Sequence, residues 1–260
     1  LGDRLTPEVR ALLRSELDKR NFRPYRRMCA GEQNQYWLLY RMNWNSVCLA
    51  GVTGAAMTAL DDPSERAWFA LAAEHYSRYA LEGFPPDGYC DEGVGYWNYG
   101  FGNYAVLAET VRRATKGAVD LMNRKEAVMP SAYGFQIEIQ PGVCPSFADC
   151  DVKAMPAAGL LDYLSRRFTG KGILRQRRPI SGGLCDQVMA LFPTPAPVIR
   201  TSISWPKPDP LRAWFPSNSV LIGRPDKGSP CRLSVALMGG HNAQNHNHND
   251  VGTYMVVVER

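Results

Sequence analysis

Hydrophobic positions in the first half of the chain recur every three to four residues, and in the last quarter every two. The first spacing lays an apolar stripe along a helix; the second puts alternate side chains on one face of a strand. Thr6-Pro7-Glu8 reads as an N-cap with proline in the first turn, opening a helix over 9–20. An alanine-rich apolar run over 45–60 predicts a buried helix with Asn45 as its cap. Over 63–81, Trp68, Leu71, Ala72, His75 and Tyr79 fall at helical spacing, which places His75 in a core or interface stripe. Further helices are expected over 96–116, 118–127, 156–168 and 183–192. Strands are expected over 133–139, 198–203, 219–222, 232–238 and 251–258, and dense proline between 193 and 230 marks a loop-rich crossover. The pattern gives an α+β chain of two domains, helical over 1–195 and the start of an antiparallel β domain over 196–260. Successive antiparallel helices suggest a solenoid or toroid rather than a four-helix bundle.

Composition changes this picture little. At 260 residues and 45% hydrophobic content the chain can bury a large core. No apolar run reaches the roughly 18 residues needed to cross a bilayer, so no membrane span is expected. The net charge of +5 suits an acidic ligand without demanding one. Its basic clusters, Arg23, Arg26 and Arg27 and then Arg166, Arg167, Lys171, Arg175, Arg177 and Arg178, read as solvated faces or loops, with a binding patch as the alternative. No nucleic-acid-binding motif accompanies them, so nucleic acid is not expected as a partner. Seven cysteines form no CxxC pair; Cys144 and Cys150 are near enough in sequence to bridge, but the odd total argues against a disulfide framework. The first residues carry no signal peptide and the last stop inside a strand pattern, which predicts a piece of a longer protein.

The candidate chemistry lies in three segments. Three of the four histidines, His241, His246 and His248, fall in Gly-Gly-His-Asn-Ala-Gln-Asn-His-Asn-His-Asn-Asp, just before the last predicted strand. Strand alternation would point His246 and His248 the same way, as a metal half-site or as a base beside a metal ligand. Arg-Met-Asn-Trp-Asn-Ser-Val-Cys places Asn43 and Asn45 at a loop-to-helix junction, where carboxamides can meet carboxylate or sugar oxygens. Asp-Gly-Tyr-Cys-Asp-Glu-Gly-Val-Gly-Tyr-Trp-Asn-Tyr-Gly-Phe-Gly-Asn-Tyr, over 87–104, sets aromatic rings among small residues, a platform on which a pyranose can stack. Trp97 belongs to that platform or to the core, and Tyr96, Tyr99 and Asn103 would share a helix face.

In their order and rough spacing these three motifs resemble the heparinase II/III-like polysaccharide lyases, over most of residues 30–260. The resemblance implies an incomplete α/α toroid followed by an antiparallel β-sandwich, with the active site between them. It implies β-elimination on an acidic, uronic-acid polysaccharide. Donors must neutralise the uronate carboxylate before its C5 proton becomes acidic, a base must take that proton, and an acid must protonate the leaving oxygen. By this similarity Asn43 or Asn45 binds the carboxylate, Tyr96 is the acid and also a candidate base with Tyr99 as its substitute, and His246 is the other proton-transfer residue. Trp97, Asn103 and Asn247 are the expected substrate-binding residues. His248 would ligate a structural zinc completed by residues farther along, and Trp44 stands where some members carry a histidine. A periplasmic or secreted location is likewise implied. Two other functions stay open at this stage, a uronate C5-epimerase and a non-catalytic carbohydrate-binding protein.

Overall fold

The computed structural model describes residues 4–173, 198–199 and 204–258. Helix α1 (Pro7–Leu17) begins as the sequence predicts, with Thr6 accepting from Val9 N and Pro7 in the first turn. It continues through a π-helical turn, Asp18–Phe22, into α2 (Arg23–Cys29). Packing is carried by the later part, where Phe22, Tyr25 and Met28 are buried while α1 buries nothing.

Helix α3 (Asn43–Ala59) starts two residues earlier than predicted. Its N-cap is Met42, which contributes no side-chain cap bond, so Asn45 is inside the helix and is not its cap. Helix α4 (Pro63–Tyr76) turns inward a stripe that only partly matches the expected one: Phe69, Ala70 and Ala73 are buried, Trp68 and Ala72 pack against the core, and Leu71 and His75 are exposed. His75 is therefore a surface residue. Two short helices, α5 (Arg78–Glu82) and α6 (Gly93–Tyr96), lead through a π-helical turn at Trp97–Phe101 into α7 (Gly102–Ala114). Helices α3 and α7 form the central pair, with Leu49, Val52 and Ala56 facing a core that includes Tyr104, Ala105, Leu107, Ala108 and Val111. The expected helix over 118–127 resolves into two 3-10 turns, Leu121–Asn123 and Lys125–Ala127, before α8 (Val128–Tyr133). Helix α9 (Ala158–Thr169) ends on Gly170 in the left-handed conformation, φ 75°.

The segment 133–139 is not a strand. Its alternating apolar residues are buried, Ile137 and Ile139 completely. Its carbonyls at Gln136 and Glu138, however, accept from the Arg224 guanidinium rather than from a neighbouring strand. Four strands, β1 (Arg212–Phe215), β2 (Val220–Gly223), β3 (Leu233–Met238) and β4 (Tyr254–Val258), make one antiparallel sheet in sequence order. β1 lies in the proline-dense stretch, where no strand was expected. β4 starts three residues later than predicted, after a turn in which Thr253 N donates to Asp250 O. The expected strand over 198–203, apart from Val198 and Ile199, and the expected helix over 183–192 lie outside the described residues.

One face of the sheet, carrying Ala213, Phe215, Val220, Ile222, Ala236 and Met238, is buried. Phe215 packs against Tyr89 and Tyr133, at ring separations of 5.2 and 5.9 Å. The outer face is also apolar, with Trp214, Leu221, Leu237 and Tyr254 in one row across the four strands and all but Leu221 exposed. Arg23, Arg26 and Arg27 pair with Asp18, Glu65 and Glu32, and buried Arg167 pairs with Asp120 and Glu109. Cys144 and Cys150 are both free thiols. Among the described residues no helix is long and apolar enough to cross a membrane.

Candidate functional site

A narrow cleft opens where the start of α3, the loop before α6 and the loop between β3 and β4 meet. Met42, Asn43 and Ser46 form one wall, Asp91, Glu92 and Tyr96 another, and Asn245 reaches in from the sheet domain. The second wall turns sharply at Gly93, whose φ of 86° and close approach to Cys150 exclude a side chain. That turn buries Glu92 and starts the short helix from which Tyr96 projects.

Widening of the next turn into a π-helix decides which neighbours share the cleft with Tyr96. Gly100, Phe101 and Tyr104 line it. Tyr99 is rotated outward and half exposed, and Asn103 turns back to donate to the Tyr99 carbonyl at 2.7 Å. The shared face expected for Tyr96, Tyr99 and Asn103 therefore does not form. Trp97 is completely buried, donates from its indole nitrogen to Pro130 O at 2.9 Å and stacks on Phe101. It is a core residue and cannot stack on a sugar.

The two asparagines separate in the same way. Asn45 is fully buried and donates to Leu38 O at 2.7 Å, tying down the preceding loop, so it is not available to a ligand. Asn43 lines the cleft and donates through Nδ2 to Glu92 Oε2, while its Oδ1 has no partner. Ser46 holds this junction by donating to the carbonyls of Asn43 and Gly100. Trp44 is half exposed, edge to face with Tyr36 at 6.1 Å.

His246 and His248 lie in the loop before β4, not in the strand. His246 and Asn249 have positive φ, 52° and 56°, so this loop is held in a strained path. The two histidines nevertheless converge, because both bond to Asp149: His246 through Nδ1 to Oδ2, His248 through Nε2 to Oδ1. Nε2 of His246 lies 3.4 Å from Glu92 Oε2, and its ring lies against Tyr96 with centroids 4.4 Å apart. Asn247 is half buried and accepts from Asn249 N, closing the loop on itself. His241 is exposed and accepts from Ala243 N, as expected of a loop residue. Asn218 Nδ2 donates to Asp91 Oδ1 at 2.9 Å, a second bond joining sheet to cleft wall.

Three carboxylates surround these groups, and the motif pattern singles out none of them. Burial raises the pKa of Glu92 above its ordinary value, against the opposing effects of the Asn43 hydrogen bond and nearby His246. Burial likewise raises that of Asp91, against its bond from Asn218. Asp149 moves the other way, held down by the hydrogen bonds from His248 and His246. Signals were faint: Asp91 and Glu92 stand within the tyrosine motif, but Asp149 lies in an aperiodic loop.

His248 and Asp149 could supply two ligands to a metal ion. Among the described residues, no group of three or more His, Cys, Asp or Glu side chains could hold one. Comparison of the chain with protein-family models and with curated proteins returns no match.

Proposed function

We propose that the protein is a polysaccharide lyase that cleaves a uronic-acid polysaccharide by β-elimination. The observation that carries this reading is that Asn43 and Tyr96 line one cleft while His246, from the third motif, packs against Tyr96 and Glu92 of its wall. In the reaction the C5–H and C4–O bonds break, a C4–C5 double bond forms, and the leaving oxygen gains a proton. Asn43 keeps one Nδ2 hydrogen free of Glu92 to donate to the uronate carboxylate and the developing enolate. Asp149 on Nδ1 of His246 favours the tautomer protonated there, leaving Nε2 to accept the C5 proton. Tyr96, beside that ring, delivers its hydroxyl proton to the leaving oxygen.

Several finer expectations belong to the same proposal. An incomplete toroid would place α3 and α7 in its inner layer, and the exposed apolar outer face of the sheet is what a second sandwich layer would cover. A zinc at His248 would order the loop before β4, with ligands beyond those described. A periplasmic or secreted location follows from the motif resemblance alone.

The test is ultraviolet absorbance of the new double bond during incubation with a panel of uronic-acid polysaccharides. A rise with one polymer, lost by at least about a hundredfold in Tyr96→Phe and His246→Ala, is the expected result. Unchanged activity in the double variant would remove both assigned roles. Solvent hydrogen appearing at C5 without an unsaturated product would make the protein an epimerase.

A further inference from the structure

The elimination chemistry leaves unexplained the carboxylate at the centre of the cleft. Glu92 is 6% exposed, and an acid so buried is normally paired with a cation or hydrogen-bonded to something that uses it. Its neighbours are instead an amide and an imidazole. Asn43 Nδ2 donates to Oε2, and His246 Nε2 lies 3.4 Å from the same oxygen. The other charged groups facing it are Asp91, next in the chain, and Asp149, on the far side of His246. One oxygen thus touches both the group assigned to the substrate carboxylate, carried by α3, and the group assigned to the C5 proton, carried by the sheet domain.

We propose that Glu92 is a positioning residue that fixes the Asn43 carboxamide beside the His246 imidazole, which Asp149 orients. This rests on the proposed elimination. With Nδ2 held on Glu92, the Asn43 amide cannot reverse, and its second Nδ2 hydrogen is the donor left for a ligand. A fixed separation between carboxylate donor and base is what aligns the C5 proton, and a displacement of about 1 Å costs on the order of a hundredfold in rate. The burial that opposes charge on Glu92 is tolerated for that geometry.

A double-substitution cycle on turnover tests it: Asn43→Ala, Glu92→Ala, the pair, and Glu92→Gln as the conservative variant. Acting through Asn43, Glu92→Ala lowers kcat about a hundredfold with KM changed much less. The pair is then no slower than the slower single variant, and Glu92→Gln, whose amide oxygen still accepts from Asn43, recovers most of the loss. Additive losses, or a Glu92→Ala turnover within about twofold of wild type, overturn the proposal. If no uronan is turned over, the proposed function fails while the positioning claim is decided separately by NMR. Slow exchange of the Asn43 side-chain NH2 protons in wild type, made fast by Glu92→Ala, is the expected result. Exchange in wild type as fast as in an exposed asparagine overturns the claim, even if Glu92→Ala does not fold.

Discussion

Burying Glu92 beside two other acids, Asp91 and Asp149, gives the fold a pH signature to which this residue contributes. Its folded pKa is raised above 4.5, chiefly by burial. A carboxyl raised in the folded state contributes stability that is fully present below its unfolded pKa and lost as pH rises through the folded value. Glu92→Gln should therefore melt at a higher temperature than wild type at neutral pH, an advantage that disappears below about pH 4. Thermal melts across that range check it, and an unchanged difference between acid and neutral pH would sink it. The site residues legible in the sequence are those whose side chains are scarce and chemically distinctive: Tyr96 and Asn43 line the cleft, and His246 packs against Tyr96. Glu92 and Asp149 were not legible, because carboxylates are common and their partners lie 49 and 97 residues away. Trp97 and Asn45 show the converse. Their types suit a binding site, but only packing reveals that both are sealed into the core.

Among elements, the π-helical turn at Trp97–Phe101 does most to shape the site. It brings Gly100 onto the first turn of α3 so closely that a Cβ there would lie 2.8 Å from Asn43 Cβ and 3.1 Å from Asn43 Cα. Backbone cannot yield as a flexible side chain would, so Gly100→Ala should cost about 1–3 kcal/mol in denaturant unfolding and lower turnover by displacing Asn43. A variant as stable and active as wild type would show that this contact is slack. Helical spacing over 96–116 predicts a helix here but not its wider turn, because a π-turn arises where two elements must fit and leaves no periodicity of its own. Helix α4 misleads for a related reason. Leu71 and His75 drew the apparent stripe to themselves, whereas Ala70 and Ala73, with Phe69, face the core. Close packing of α4 against α3 favours small side chains at the contact, and spacing alone does not reveal that.

For the whole molecule, activity as proposed requires the sheet to stay seated on the helical body, because His246 and Tyr96 come from different sides of that junction. The α+β class and three of the four strands were legible from the two-residue hydrophobic period of the last quarter of the chain. The seating was not, since it depends on side chains bonding to backbone across long sequence separations. Its principal clasp is Arg224, whose guanidinium donates to the carbonyls of Gln136 at 2.6 Å and of Glu138 at 2.9 Å. Those carbonyls belong to the segment that resembles a strand but has no strand partner, so removing the guanidinium leaves them half-buried with their acceptors unmet. Arg224→Ala should therefore cost about 3 kcal/mol. Because β2 then loses its hold on the helical body, the loop before β4 should drift with it. The expected signature is faster proteolysis within 204–258 together with reduced turnover, while the helical content measured by circular dichroism is kept. A loss below about 0.5 kcal/mol would mean that water replaces the arginine freely and that Phe215 and its aromatic neighbours seat the sheet unaided.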